Sequence, residues 1–316
     1  HSFPTRRSSD LDMGVYRGFV KEGKLEFIGK PENTESLIYA SCGMNNTAGR
    51  PVFYVTSPSK WVDGIFHTGV YKSTDYGLSW KALKDGLQED MADPECQKLP
   101  VYKLLSASPE DAKVVYMTVN RFPGRFEEDT DIVEYSGIFK SEDEGETWKW
   151  VLKGLDAVVS KNNRDGWRER EIGYLKVSPP SGMGICPTNH NICYATDSMT
   201  IYRTMDGGDT WEQVYCEMFP DGTSKGNGME VTTAYGVHFD PFDKNHLVVS
   251  YTDVGMFNSL NHGASWKHAV NGVPPQWRNT CYWMVFDPDV KGRAWSVWGY
   301  SHDLPRVKMF GAGGHF

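Results

Sequence analysis

GVYKSTDYGLSW, residues 69–80, recurs in three variants that together decide the fold: GIFKSEDEGETW (137–148), TIYRTMDGGDTW (200–211) and GMFNSLNHGASW (255–266). Each variant has a short β-rich run followed by Ser/Thr-x-Asp/Asn-x-Gly-x-Ser/Thr-Trp. The acidic or amide position falls at Asp75, Asp143, Asp206 and Asn261, at spacings of 68, 63 and 55 residues. A motif that recurs at such intervals indicates a repeat architecture.

The motif predicts a β-hairpin, in which the Asp side chain accepts backbone N–H groups and the Gly adopts a positive φ. Another pair of strands precedes the motif, as in KLLSASP then KVVYMTV, YLKVSPP then NICYATD, and GVHFDPF then HLVVSYTD. Each repeat is therefore predicted to be four short antiparallel strands, A to D, with the motif at the C–D turn. Four-stranded sheets repeated around an axis form a β-propeller, so the predicted fold class is all-β.

The composition excludes several other classes of protein. The chain has 316 residues, a net charge of −8, and 39% hydrophobic and 13% aromatic residues. Such an aromatic content excludes disorder, and no apolar run is long enough for a membrane span. The 32 Gly and 17 Pro residues disfavour a helical bundle. No basic stripe is present, so no nucleic-acid partner is expected.

The repeated motif resembles the Asp box, or BNR repeat, of sialidases, xyloglucan-specific endoglucanases, sortilin-type receptors and photosystem assembly factors. The lead-in to each box is more similar to the xyloglucanase and sortilin branch than to sialidases. The resemblance covers residues 39–272 and implies a β-propeller, with the box residues holding the fold and taking no part in catalysis. The Asp box occurs in enzymes and receptors alike, so the resemblance leaves the function open.

The ends of the chain bear on the domain organisation. Residues 1–11, HSFPTRRSSDL, resemble the translation of a sequencing adapter, so the protein itself is expected to occupy residues 12–316 as a single propeller domain. About five blades fit this length, which predicts a piece of a larger ring of six to eight blades.

An extracellular or periplasmic location is favoured. No metal site or cofactor is predicted, since neither CxxC nor HExxH occurs; a small disulfide between Cys186 and Cys193 is feasible.

Most long polar segments are predicted to lie on one face of the propeller. In an A–B–C–D blade, the A–B and C–D turns share a face, and the B–C loops and D–A connections share the opposite one. The B–C loops are expected at residues 43–68 and 120–135, and the D–A connections at 88–100, 156–172, 217–235 and 274–280. Long connections in compact domains are usually functional or disordered. The candidate substrate-binding residues on this face are Trp61, Arg125, Trp167, Arg168, Trp277, Arg278 and Arg306.

Asp253 is the leading candidate for a catalytic carboxylate. It stands at the end of a predicted B strand in HLVVSYTDVGMF, which resembles the xyloglucanase strand ending in Thr-Asp-Val/Ile-Gly-Gly, although Met256 replaces the second Gly. In that family the Asp of this pattern is catalytic. Asp197 occupies the same place one repeat earlier, and glycoside hydrolysis requires two carboxyl groups about 5 to 9.5 Å apart. The alternative is that both are turn-forming residues at strand ends.

A second polar patch follows two strands of a fifth repeat, in WSVWGYSHDLPR (295–306). His302, Asp303 and Arg306 are candidates for binding a carboxylate or for general acid–base catalysis, and the alternative is a local polar turn. The first functional hypothesis is a glycosidase-like hydrolase of a poly- or oligosaccharide, with Asp253 paired to Asp197 or Asp303. The second is a non-catalytic, sortilin-like propeller that binds a protein or glycan through the same face.

Overall fold

The computed structural model describes residues 14–19, 23–87, 99–125, 132–154, 162–164, 166–172, 180–197, 201–228 and 232–300. Their regular structure is almost entirely β, with one α-helix, α1 (Trp167–Ile172), and one 3-10 helix (Pro275–Trp277). The chain separates into two compact units. The first unit comprises His1–Asn163, Leu175–Ser198 and Arg203–Glu212, and the second comprises Arg164–Tyr174, Met199–Tyr202 and Gln213–Phe316.

The first half of the chain forms two four-stranded antiparallel sheets and two separate hairpins. The strands are β1 (Val15–Phe19), β2 (Lys24–Gly29), β3 (Tyr39–Asn45), β4 (Arg50–Thr56), β5 (Lys60–Val62), β6 (Ile65–His67), β7 (Val70–Ser73), β8 (Lys81–Ala82), β9 (Val101–Ala107), β10 (Val115–Arg125), β11 (Ile132–Ser141) and β12 (Lys149–Gly154). The two sheets have the orders β3-β4-β7-β8 and β12-β11-β10-β9, and the hairpins are β1–β2 and β5–β6.

The second half repeats the same arrangement. The strands are β13 (Asn163–Arg164), β14 (Gly182–Cys186), β15 (Asn189–Thr196), β16 (Ile201–Thr204), β17 (Trp211–Gln213), β18 (Cys216–Met218), β19 (Ser224–Gly226), β20 (Ala234–Asp240), β21 (Asp243–Tyr251), β22 (Met256–Ser259), β23 (Lys267–His268), β24 (Thr280–Phe286) and β25 (Ala294–Gly299). The sheet orders are β13-β17-β16-β15-β14 and β20-β21-β22-β23, and β18–β19 and β24–β25 form two-stranded sheets. Successive four-stranded meanders of this kind are blades of a β-propeller, which confirms the predicted fold class.

The turn between the third and fourth strands is built by side-chain hydrogen bonds, and the second repeat shows the pattern. The Asp143 carboxylate accepts the Thr147 N–H at 2.9 Å, the Thr147 hydroxyl at 2.6 Å and the Ser141 hydroxyl at 2.8 Å. The Ser141 oxygen in turn accepts the Gly145 N–H at 2.8 Å. Both Glu144 and Gly145 have positive φ, at 62° and 78°. The side chains therefore close a loop whose backbone needs two left-handed residues.

The corresponding turns of the other three repeats have the same hydrogen bonds. We call the four segments 73–80, 141–148, 204–211 and 259–266 the repeat turns. Ser79, Thr210 and Ser265 each donate a backbone N–H at 2.9 Å to the Asp or Asn of their own turn. Asn261 keeps the geometry with an amide, because its oxygen accepts that N–H while its nitrogen donates to the Ser265 hydroxyl at 2.9 Å. Asp75, Asp143, Asp206 and Asn261 thus each accept a backbone N–H within their own turn.

The A–B turns lie beside the repeat turns, as the strand parity predicts. In three repeats, the residue after the Asp or Asn donates its N–H to a carbonyl in the A–B turn or within the first three residues of the B strand that follows it. These bonds join Glu144 to Lys113 at 3.1 Å, Gly207 to Asn191 at 2.9 Å and His262 to Asn245 at 3.0 Å. The ends of the B strands therefore lie at the opposite edge of each of these sheets.

Three predicted segments differ from the structure. Residues 43–45 and 50–56 are strands and not part of a B–C loop, and Arg50 forms an ion pair with Glu144 at 3.3 Å on the repeat-turn edge. The first strand of the third sheet is Gly182–Cys186, whereas the predicted strand at 174–180 lies almost wholly outside the described residues. Ser224 of the connection 217–235 pairs with Trp266 of the fourth repeat turn through backbone hydrogen bonds of 2.7 and 2.8 Å. Sequence spacing alone does not distinguish an added hairpin from a loop.

Aromatic and branched side chains from alternate strand positions fill the core of the first unit. The stacked rings of Phe139 and Trp150 have centroids 4.1 Å apart, and Phe122 packs edge-on against both. The hydroxyl groups that enter this core have partners, since Tyr54 donates to the Ala112 carbonyl at 2.8 Å and Tyr102 donates to the Leu87 carbonyl at 2.6 Å. Such satisfied hydroxyl groups avoid the cost of an unpaired buried donor.

Candidate functional site

The turn between the second and third strands of the fourth sheet, residues 251–255, has unusual backbone geometry. Asp253 has a φ of +62°, and the Val254 N–H donates to the Thr252 carbonyl at 2.7 Å, which closes a three-residue turn around Asp253. The Tyr251 N–H donates to the Gly255 carbonyl at 2.8 Å. Three-residue turns with a positive φ are rare and strained, and residues held in such conformations cluster at functional sites. The half-buried Asp253 is therefore the first residue of the candidate site.

Gly255 joins this turn to the segment before β24. Its N–H donates to the Asn279 carbonyl at 3.0 Å. A Cβ on Gly255 would lie 2.8 Å from the Arg278 carbonyl oxygen and 2.9 Å from the Trp298 ring, and its φ is +72°. Only glycine fits this close approach without displacing a neighbour. The 251–255 turn and residues 277–279 thus form one surface within the second unit.

Trp277 and Arg278 are the predicted binding residues on this surface. The preceding Pro274–Pro275 pair begins a 3-10 helix, and the Trp277 N–H donates to the Pro274 carbonyl at 2.9 Å. The Trp277 side chain is 42% exposed, and Arg278 is exposed as well. The Nε–H of Arg278 donates to the Val273 carbonyl at 2.7 Å. An exposed indole and an exposed guanidinium therefore stand on consecutive residues at the end of the 3-10 helix.

His268 supports the turn from the following strand. Its Nε2–H donates to the Val254 carbonyl at 2.8 Å, and its Nδ1 is buried without a hydrogen-bond partner among the described residues. Burial lowers the pKa of His268, whereas the Val254 carbonyl and Glu171 raise it and Arg278 lowers it further. His268 is a residue of the candidate site that the sequence did not single out.

The structure places Trp167 and Arg168 beneath this surface. Trp167 is 8% exposed, and its ring packs edge-on against Phe257 at 4.8 Å, in a buried cluster that also contains Val254. Arg168 is 4% exposed. The Tyr215 hydroxyl accepts the Arg168 N–H at 3.1 Å and donates to the Glu169 carboxylate at 2.7 Å, which fixes α1 in place. Direct contact of Trp167 and Arg168 with a substrate stays a prediction; the contacts observed are those of core residues.

Asp197 directly follows β15 and is 9% exposed. It belongs to the first unit, whereas Asp253 belongs to the second, so their pairing remains a prediction. Arg125 ends β10, and its side chain lies outside the described part of the structure. His302, Asp303 and Arg306 lie outside the described residues altogether.

Trp61 stands on the β5–β6 hairpin, which is inserted between the second and third strands of the first sheet. It is 41% exposed, and its ring lies 5.4 Å from that of Phe66, which is buried. Asp63 and Gly64 form the tip with φ of 50° and 77°. A short hairpin with two left-handed tip residues holds its side chains in a fixed register. Trp61 is therefore an ordered, exposed aromatic residue at the predicted edge.

The described residues show no cluster of metal-ligating side chains and no disulfide bond. No group of three or more His, Cys, Asp or Glu side chains there could hold a metal ion. Cys186 and Cys193 are both free, as are Cys42, Cys216 and Cys281. No helix of the described part is long and apolar enough to span a bilayer.

Comparison with solved structures shows the fold. An ancestral GH74 enzyme matches with a TM-score of 0.54 and 16% identity, and the match covers 91% of this chain and 36% of the GH74 chain. The GH74 xyloglucanase from Xanthomonas campestris matches at 14% identity and a TM-score of 0.36, covering 92% of this chain and 48% of its own. YCF48 bound to D1 peptide matches at 14% identity and a TM-score of 0.31, covering 87% and 79%.

The similarity to the ancestral GH74 enzyme supports the fold and does not by itself fix a function. The chain spans 36% and 48% of the length of the two GH74 enzymes. No protein-family model matches the sequence, and no curated protein matches it either. The function must therefore be argued from the site.

Proposed function

We propose that the protein is a glycosidase-like hydrolase of a poly- or oligosaccharide, and that Asp253 supplies one of its two catalytic carboxyl groups. The observation that carries this proposal is the strained turn at Asp253, which lies beside the exposed Trp277 and Arg278. A pyranose ring has an apolar face that stacks on indole, and its hydroxyl groups bind charged side chains. We also propose that the repeat turns are Asp boxes, in line with their hydrogen bonds.

The chemistry requires a second carboxyl group. In a glycosidase, one carboxylic acid protonates the leaving oxygen while the other acts as base or nucleophile, at a separation of about 5 to 9.5 Å. Asp197 and Asp303 are the partners proposed from the sequence.

Release of reducing sugar tests the proposal. The protein and its Asp253→Asn variant are incubated with a panel of neutral and acidic polysaccharides, with Asp209→Asn as the matched control. Asp209 is exposed and lies in the third repeat turn. We expect activity on at least one polysaccharide, its loss in Asp253→Asn, and its retention in Asp209→Asn. Equal activity of the two variants would remove Asp253 from the mechanism.

The alternative is a non-catalytic, sortilin-like propeller that binds a protein or glycan at the same edge. The exposure of Trp61 and Trp277 favours it, because exposed aromatic anchors suit binding whether or not a bond is cleaved. Binding of a polysaccharide by both the protein and Asp253→Asn, with no product from either, would support this alternative.

A further inference from the structure

Arg278 is an exposed cation that is held in one orientation. Its Nε–H donates to the Val273 carbonyl at 2.7 Å, and its backbone N–H donates to the Pro275 carbonyl at 3.4 Å. None of the described residues forms an ion pair with it. Arg293, in the same unit, is in contrast paired with Asp287 at 2.5 Å. The two terminal nitrogens of Arg278 thus remain available for a ligand.

An oriented guanidinium selects for a particular ligand group. Its planar pair of N–H donors matches the two oxygens of a carboxylate, and such charge-assisted pairs are about twice as strong as neutral hydrogen bonds. Because the side chain is already anchored, little conformational entropy is lost when the pair forms. The hydroxyl groups of a neutral sugar can also accept hydrogen bonds from a guanidinium, but they lack the negative charge that strengthens the pair with a carboxylate.

Trp277 lies next to this cation in the chain and is 42% exposed. Trp277 ends the 3-10 helix and Arg278 caps it, directly after Pro274 and Pro275, so the backbone of both residues is constrained. A sugar ring stacked on Trp277 would bring a substituent of the ring within reach of Arg278. The Gly255–Asn279 hydrogen bond keeps this pair beside the Asp253 turn.

We propose that Trp277 and Arg278 form a subsite for a carboxylated sugar, so that the substrate recognised beside Asp253 contains a hexuronic acid. This inference rests on the proposed function and narrows its substrate class. Arg278 is the specificity-determining residue, and Trp277 contributes affinity without distinguishing acidic from neutral rings.

The test is calorimetric binding of trimers of galacturonic, glucuronic and mannuronic acid to the full chain, beside the methyl esters of the same trimers. We expect at least one acid to bind about tenfold more tightly than its ester, which corresponds to about 1.4 kcal/mol. Arg278→Gln should abolish the difference, and Trp277→Ala should weaken acid and ester equally. Arg293→Gln is the matched control and should change neither.

Equal binding of every acid and its ester by the unaltered protein would overturn the inference, as would a preference that persists in Arg278→Gln. If a neutral polysaccharide is cleaved with dependence on Asp253 and no acid is preferred, the proposed function stands and the uronic-acid subsite is wrong. If no oligosaccharide or polysaccharide binds at all, both proposals fail.

Discussion

Replacing Asp143 by alanine should destabilise the first unit, because the repeat turn loses every hydrogen bond that its carboxylate accepts. Three such bonds come from Thr147 and Ser141, at 2.6 to 2.9 Å. At about 1 kcal/mol for each, the expected loss in free energy of unfolding is about 3 kcal/mol. In a unit of this size, that corresponds to a fall of roughly 6 °C in Tm.

The chain itself supplies the comparison. Asn261 occupies the same position in the fourth repeat turn and makes the same three contacts with an amide. Asp143→Asn should therefore cost less than about 1 kcal/mol, since the lost charge is only partly buried. Asp209→Ala alters an exposed residue near the third repeat turn and should have almost no effect.

Urea denaturation followed by tryptophan fluorescence measures all three variants, and Trp148 lies in the turn itself. The predicted order of stability is Asp209→Ala, then Asp143→Asn, then Asp143→Ala. If Asp143→Ala loses less than about 1 kcal/mol, or if Asp143→Asn loses as much as Asp143→Ala, the hydrogen-bonding account of the repeat turns is refuted.

Three further outcomes follow. A Cβ on Gly86, whose φ is +80°, would lie 2.1 Å from a backbone carbonyl oxygen. Gly86→Ala should therefore lower the free energy of unfolding, measured by urea denaturation, by more than about 2 kcal/mol. Gly49→Ala should lower it by about 1 kcal/mol, because the space around Gly49 is open. Burial lowers the pKa of His268 in the folded protein, so the unfolded chain binds a proton at His268 more readily. The free energy of unfolding should therefore fall as the pH drops below about 6.5 towards the pKa of the folded state. His268→Gln should make the free energy of unfolding less dependent on pH in this range. Trp167→Ala should lose about 3 to 5 kcal/mol, whereas Trp61→Ala should weaken only oligosaccharide binding, as calorimetry would show.

Much of the fold follows from the sequence because each repeat carries its own local signal. Side-chain oxygens at Asp75, Asp143, Asp206 and Asn261 bond within four residues, so the motif dictates the turn without help from distant parts of the chain. The alternation of buried and exposed positions then dictates the flanking strands. The contact between Ser224 and Trp266 escaped prediction because the two residues lie far apart in sequence.

The site was predicted less completely. The end of a B strand marks Asp253 in the sequence, but the strand pattern does not predict its positive φ or the three-residue turn that Thr252 and Val254 close around it. The burial of Trp167 could not be foreseen, because a Trp beside charged residues is equally typical of an exposed loop and of a helix packed by one face. His268 reaches the Val254 carbonyl only after β23 pairs with β22, so the spacing of these two residues in the sequence carries no signal.

The most direct test of the central claim is kcat/KM on the best polysaccharide substrate for the protein and for Asp253→Asn, with the dissociation constant measured on the same samples. A positioned acid or base contributes about 10²- to 10⁴-fold. We predict that kcat/KM falls by a factor within that range. The dissociation constant should change by less than about threefold, because an amide at position 253 does not alter the turn or the binding surface. A kcat/KM within twofold of the unaltered protein would contradict the assignment of Asp253.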